Sequence, residues 1–185
     1  MRPLTDDELK LVFEKLEKFL GNDVRLLLRP TAAADGGEQA ACLRLNKQTV
    51  FLVPEHLMRL ATNVARDALV SAGTTIGRFT KGGSFRLAVT CLDLLAKHSK
   101  HRVWIKPSSE MSFLYGNHIV KEGVARMTPM DTYDGVCVYN LAGTPLGFGI
   151  AAHPSEYADA LDSGANVVLH QADVGEYLRI EAGDE

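Results

Sequence analysis

Between residues 9 and 20 the apolar positions recur at helical spacing. Leu9, Val12, Phe13, Leu16, Phe19 and Leu20 fall on one face, with charged residues opposite, and predict an amphipathic helix. Thr5 and Glu8 stand at the spacing of a capping box just before it, and Gly21-Asn22 suits its end. The period then shortens. Asp23 to Arg29 reads as a strand, and Thr31 to Glu38, rich in Ala and Gly, as a patternless loop. Ala40 to Leu45 and Gln48 to Val53 read as two strands around an Asn46-Lys47 turn. Pro54 fits the start of a second helix, Glu55 to Asn63, with Leu57, Leu60 and Ala61 expected inward.

Leu69 to Thr80 is β-rich and carries Gly73 and Gly77, which mark bulges or close backbone approaches. Lys81-Gly82-Gly83 turns the chain back into Ser84 to Val89. Thr90 is placed to cap a short helix, Cys91 to His98. Beyond it the pattern changes to short strands punctuated by Gly and Pro: Ile119-Val120, Val124 to Met127, Gly135 to Asn140, Pro145 to Ala152 and Asn166 to Leu169. One short helix, Ser108 to Leu114, interrupts them. Closely spaced short strands suggest a compact β-barrel. The expected class is α+β: a mixed domain of helices and antiparallel strands over 1–96, a barrel-like domain over 97–180 and a tail over 181–185, with the boundary in the region 95–102.

At 185 residues the chain is long enough to bury a core, in one domain or two small ones. Charge changes the picture only locally. The net charge of −3 excludes a wholesale polycation, but it divides into +2 over 1–94 and −5 over 95–185, with the acidity concentrated after Asp131. Cys42, Cys91 and Cys137 lie far apart without a C-x-x-C pair. They are expected as free thiols packed as small hydrophobes in a reducing compartment. The acidic opening does not resemble a signal or transit peptide, and no apolar run reaches membrane-spanning length. A soluble intracellular protein is expected.

Most candidate chemistry fails on context. Gly147-Phe148-Gly149-Ile150-Ala151-Ala152 matches G-x-G-x-x-A, but a strand-like run continues through it and Pro154 follows, so no helix opens to take a pyrophosphate. The expected role of its glycines is close packing in a barrel strand. His98 and His101 sit among Lys97, Lys100 and Arg102 without a second ligand pair, and are read as part of a solvated basic segment. Cys137 alternates with valines and is expected as packing, not as a nucleophile served by His118 or His170. No catalytic residue, metal or cofactor is expected.

Two basic clusters remain. Arg78, Lys81 and Arg86 flank the Gly82-Gly83 turn, so alternation projects their charges together. Phosphate contact needs such a cluster, and a tip kept soluble by charge reads the same. Lys97, Lys100, Arg102 and Lys106 surround Trp104, with Phe113 and Tyr115 beyond. Trp104 lies in Val103-Trp104-Ile105 and is expected as core, not as a stacking platform.

Several longer runs are more specific. Met1-Arg2-Pro3-Leu4-Thr5, Gly77-Arg78-Phe79-Thr80-Lys81, Val103-Trp104-Ile105-Lys106-Pro107, Ser112-Phe113-Leu114-Tyr115-Gly116-Asn117-His118, Gly135-Val136-Cys137-Val138-Tyr139, Pro145-Leu146-Gly147-Phe148-Gly149 and His170-Gln171-Ala172-Asp173-Val174-Gly175-Glu176-Tyr177 together resemble the eukaryotic Nip-seven family of large-ribosomal-subunit biogenesis factors. The resemblance runs from residue 1 to about residue 180. It implies an α/β N-terminal domain followed by a PUA pseudobarrel. It implies RNA binding without catalysis and a role in pre-rRNA processing within 60S pre-ribosomal particles. The implied partners are pre-rRNA and other assembly factors, including nucleolar rRNA methyltransferases; no membrane is implied, and the protein is expected to be nuclear and nucleolar, and a monomer in isolation. In PUA domains the short helix with its glycine turn and the last barrel strand face RNA, which implies Tyr115, Asn117, His118, His170 and Gln171 here. After Gly149 the chain reads Ala151-Ala152-His153, then Glu156, Asp159 and Asp162, where archaeal relatives are basic. That departure implies RNA contact within a larger assembly, where partners contribute. The competing reading is a protein–protein adapter.

Overall fold

The computed structural model describes residues 1–21, 24, 31–32, 38–65 and 68–181, with the backbone alone at 31–32, 38–39, 159 and 180. The chain divides into two compact units: Met1–Glu17 with Gly21–Cys91, and Lys18–Leu20 with Leu92–Glu185.

α1 (Asp6–Leu20), whose last residues Lys18–Leu20 count with the second unit, starts in the first as its residues dictate. The Thr5 hydroxyl accepts from the Glu8 N–H and the Glu8 carboxylate accepts from the Thr5 N–H, so the capping box closes from both sides. Arg2 also grips Glu8 through two guanidinium bonds of 2.6 and 2.8 Å. The Arg2 guanidinium, aided by the Thr5 N–H, holds the Glu8 carboxyl down to about 2. The Arg2 backbone pairs with Leu45 on the edge of the sheet.

That sheet has four strands in sequential order: β3 (Ala41–Asn46), β4 (Thr49–Pro54), β5 (Thr74–Phe79) and β6 (Phe85–Leu87), all antiparallel. Two two-residue strands, β1 (Thr31–Ala32) and β2 (Glu38–Gln39), pair at the two ends of the stretch expected as a patternless loop, Gln39 lying one residue past it. The strand expected over 23–29 lies outside the described residues, Val24 excepted. The β3–β4 turn falls one residue later than expected. Asn46 pairs with Thr49, which leaves Lys47-Gln48 as the turn, with Lys47 left-handed at φ 54°.

Helix α2 (Glu55–Ala61) is shorter than its pattern. None of its residues is fully buried: Leu57 and Ala61 are half-buried, while Leu60, expected inward with them, is 62% exposed. Gly73 is left-handed at φ 77°, and a Cβ on Gly77 would stand 2.1 Å from the Arg86 carbonyl oxygen. Both glycines thus have the geometric reasons their positions suggested. Thr90 does not cap the next helix: its hydroxyl donates to the Thr75 carbonyl at 2.6 Å.

In the second unit α3 (Leu92–His98) leads directly into β7 (His101–Ile105), so the region 97–106 is a helix end and a strand. Then follow α4 (Pro107–Leu114), β8 (Ile119–Val120), β9 (Val124–Met127), β10 (Gly135–Tyr139), β11 (Pro145–Ala151), β12 (Asn166–Asp173) and α5 (Gly175–Glu181). The six strands form one mixed sheet in the order β8-β12-β11-β10-β7-β9. All pairs are antiparallel except β7 with β10, which runs parallel. Val103, Ile105, Phe113, Val136, Val138 and Val168 fill one core between them. β10 and β11 are buried at nearly every position, so both faces are covered. The glycines of the G-x-G-x-x-A run serve strand pairing: a Cβ on Gly147 or Gly149 would meet the Ala172 or Leu169 carbonyl oxygen at 2.3 Å. Among the described residues no helix is long and apolar enough to cross a membrane.

Candidate nucleic-acid interface

The hairpin of β5 and β6 carries its cations as the pattern suggested. Thr80 and Ser84 close the turn: the Thr80 N–H donates to the Ser84 carbonyl at 2.8 Å and the Gly83 N–H to the Thr80 carbonyl at 2.9 Å. Gly83 takes the left-handed position at φ 80° that such a three-residue loop requires. Phe79 pairs with Phe85, their rings 5.1 Å apart, and anchors one face of the hairpin. Arg78 pairs directly with Arg86 on the other face, and both are exposed, as is Lys81. Among the described residues none of the three forms an ion pair. Like charges directly opposite on a sheet are destabilising, so folding gains nothing from this arrangement. A polyanion laid across the pair offsets the repulsion.

In the second unit the glycine turn after α4 meets β12. Gly116 is left-handed at φ 87°, which lets Tyr115 to His118 wrap the helix end; Asn117 donates from backbone and side chain to the Ser112 carbonyl. Tyr115 is 70% exposed, and Asn117, His118 and Gln171 are exposed. His118 Nδ1 accepts from the His170 backbone N–H at 3.2 Å, so the turn and the strand are joined through these residues. The His170 ring turns inward. It is 12% exposed, lies edge-on to Phe113 and bonds Asp173 through Nε2 at 2.6 Å.

That bond opens onto a network that the sequence does not disclose. The fully buried Asp173 carboxylate accepts from His170, from the Gly175 N–H at 2.7 Å and from Arg179 at 2.8 Å. Arg179 also donates to the Leu114 carbonyl at the end of α4. Burial pushes the Asp173 carboxyl up, but the bonds from His170 and Arg179 and their charges outweigh it and hold the group below its ordinary value. Glu176 goes the other way, raised by burial and by the Asp173 charge. His170, Asp173 and Glu176 offer ligand atoms within 4.8 Å of one another. The guanidinium on Asp173 fills the place of a cation, so the cluster works as an ionic strut from α5 to the glycine turn. The sequence shows only the spacing of His170, Asp173, Glu176 and Arg179, and helix periodicity over seven residues is too short a signal to reveal α5.

The basic segment divides. Lys97, Lys100 and Lys106 are exposed, with Lys106 Nζ donating to the Glu122 carbonyl at 2.7 Å. Arg102 is half-buried, with Nε at 3.4 Å from the Ser99 hydroxyl and its guanidinium near the Tyr139 ring. His101 is not solvated: it is buried, with Nδ1 2.7 Å from the Pro129 carbonyl and Nε2 3.3 Å from Asp134. Alternation puts His101, Val103 and Ile105 inward and turns Trp104 outward, where it is half-buried and not core. Cys137 is fully buried, and burial pushes its thiol up to about 11.

Residues 1–89 match the NIP7/UPF0113 pre-PUA domain, and residues 101–182 match the UPF0113 PUA domain. The 60S ribosome subunit biogenesis protein NIP7 homolog of Danio rerio is 50% identical over 182 residues, covering 98% of each chain. Its Xenopus tropicalis counterpart is 51% identical over the same span and coverage. Among solved structures, a PUA domain protein from Aeropyrum pernix K1 superposes with a TM-score of 0.56 at 14% identity, covering 98% of this chain and 90% of that one. A conserved PUA domain protein from Thermoplasma acidophilum gives 0.54 at 14% identity, covering 98% and 97%. These two speak for the fold alone. A capped α/β unit followed by a PUA pseudobarrel, matched along nearly its whole length, places this chain in the NIP7 family.

Proposed function

We propose that the protein is a non-catalytic assembly factor of the large ribosomal subunit that contacts pre-rRNA directly. Relatives of about 50% identity and nearly full mutual coverage are named 60S ribosome subunit biogenesis proteins, which supports the biological setting and, with it, action in the nucleolus. The observation that carries RNA contact is the Arg78–Arg86 pair: two exposed guanidinium groups opposed across a strand pair, with Lys81 at the turn and no carboxylate among the described residues to neutralise them. The exposed Tyr115, Asn117, His118 and Gln171 form a second contact surface within the PUA unit, with His170 as the residue that fixes the turn to the strand. Lys97, Lys100, Arg102 and Lys106 add phosphate-binding charge to the same unit. The partners are pre-rRNA, the large-subunit particle and its other assembly factors, nucleolar rRNA methyltransferases among them. The buried, high-pKa thiol of Cys137 supports the non-catalytic reading, because a thiolate nucleophile needs the opposite environment.

Crosslinking of the protein to RNA in cells, mapped to nucleotides, tests this reading. Sites on large-subunit pre-rRNA are expected. Recovery of pre-ribosomal particles without RNA crosslinks would replace the reading with that of a protein adapter.

A further inference from the structure

On the outer face of the PUA sheet three side chains stack in sequence across adjacent strands, with a fourth, from the middle strand, beside the last of them. The Arg126 guanidinium from β9 lies 3.9 Å over the Trp104 ring of β7. Trp104 stacks on Tyr139 of β10, with centroids 5.8 Å apart and planes 27° from parallel. The Arg102 guanidinium sits 5.8 Å from the Tyr139 ring. Strand register builds the row, because Trp104 pairs with Arg126 on one side and Tyr139 on the other. The row runs from cover into solvent: Tyr139 is buried with its hydroxyl on the Ala96 carbonyl, Trp104 is half-buried, and Arg126 is exposed on the edge strand.

We propose that Arg126, seated on Trp104, is a stacking platform for an unpaired RNA base. A guanidinium plane stacks bases as aromatic rings do, and it adds charge for the adjoining phosphate. Here the guanidinium rests over the indole while the residue itself is exposed, so part of the conformational cost of ordering the side chain is met before RNA arrives. Among the described residues Arg126 forms no ion pair, so no carboxylate competes for it. Arg102, Lys106 and Lys97 stand on β7, at its end and on α3 of the same unit, and also form no ion pair there. An anionic chain with exposed rings fits this surface better than a protein would, since a protein partner must bring its own acidic groups. The inference rests on the RNA-contacting reading above and adds a site that reading does not contain.

Trp104 is the chain's only tryptophan, so intrinsic tryptophan fluorescence reads this site alone. The probes are an unlabelled single-stranded RNA of mixed sequence, about 12 nucleotides long, its abasic counterpart, and a dye-labelled copy for anisotropy. The full chain, Arg126→Ala and Arg126→Lys are compared after circular dichroism shows that all three are folded. Saturable change of Trp104 fluorescence with the base-bearing RNA, and much less with the abasic one, is expected. Arg126→Ala is expected to weaken binding about tenfold, and Arg126→Lys, which keeps the charge and removes the plane, to recover only part. RNA binding seen by anisotropy with no change at Trp104, or equal affinity in Arg126→Ala, overturns the platform and leaves the RNA-contacting reading intact. No anisotropy change in any form overturns both. Unchanged RNA affinity with absence of the variant from pre-ribosomal particles overturns the platform in favour of a protein contact.

Discussion

Removing the Asp173 carboxylate should unlock the PUA unit, and the structure sets the size of the effect. In Asp173→Ala the Arg179 guanidinium, the His170 ring and the Gly175 N–H are all deprived of their acceptor together. Breaking a buried ion pair by deleting one partner costs about 3–5 kcal/mol. The Arg179 side chain is 29% exposed, so water compensates it in part and the lower end, about 3 kcal/mol, applies. A unit of this size falls in Tm by about 4–8 °C per kcal/mol, so a drop of about 12–24 °C is expected in calorimetry. The milder Asp173→Asn keeps an acceptor and removes the charge. It also isolates the pH dependence. Because the folded carboxyl is held below its unfolded value, its contribution is complete above that unfolded value and disappears as pH falls through the folded one. The stability difference between parent and Asp173→Asn should therefore shrink from about pH 4 downward. A Tm for Asp173→Ala within a degree or two of the parent, or a stability difference that does not move with pH, would refute the strut.

Replacing Arg78, Lys81 and Arg86 together with Ser should weaken RNA binding and flatten its log–log salt slope by about 0.7 for each single-strand phosphate no longer neutralised; Tm should hold or rise slightly, since the three cations are exposed, unpaired with acid among the described residues, and two of them repel each other across the strand pair, and an unchanged slope would show a merely solvated tip. Gly135→Ala places a Cβ 2.5 Å from the Phe19 ring, which is itself packed edge-on against Phe148, and should cost about 1–3 kcal/mol in denaturant unfolding, while Gly164→Ala, with open space around it, should cost less than about 0.5. Thiol reagents at neutral pH should modify the half-buried Cys42 first and reach Cys137 only on unfolding, as mass spectrometry of the labelled peptides would report.

How far the residues alone foretell this structure depends on how local each cause is. The α1 cap, the Gly83 turn and the Gly77 contact follow from a few neighbouring residues, and each stands where the pattern puts it. Leu60 misleads because a helical stripe says which residues share a face, not how far that face is covered. His101 has charged neighbours in the chain, yet strand alternation overrides composition and carries it inward to Pro129 and Asp134. β12 runs on through His170 and Gln171 to Asp173 because β11 supplies its ladder partners, a tertiary cause invisible in a polar stretch. The ionic strut and the Arg126–Trp104 stack join residues 65 and 22 positions apart, beyond the reach of any local pattern.

The parallel pairing of β7 with β10 has a kinetic consequence. The first unit's sheet pairs its strands in chain order, β3–β4 and β5–β6 across tight turns and β4–β5 across residues 55–73, so each strand can zip onto the one before it as the chain emerges during synthesis. β7 has no such neighbour on its inner side. Residues 101 to 104 await 136 to 139, and β8 in turn awaits residues 166 to 168 near the end of the chain. Until those arrive, Val103 and Ile105 are exposed on an unsatisfied strand edge, the state in which chains aggregate or recruit chaperones. The second unit is therefore the slow-folding half. Its refolding after dilution from denaturant should set the slowest phase, and ribosomes stalled before residue 166 should carry a nascent chain with a folded first unit and a still-open sheet.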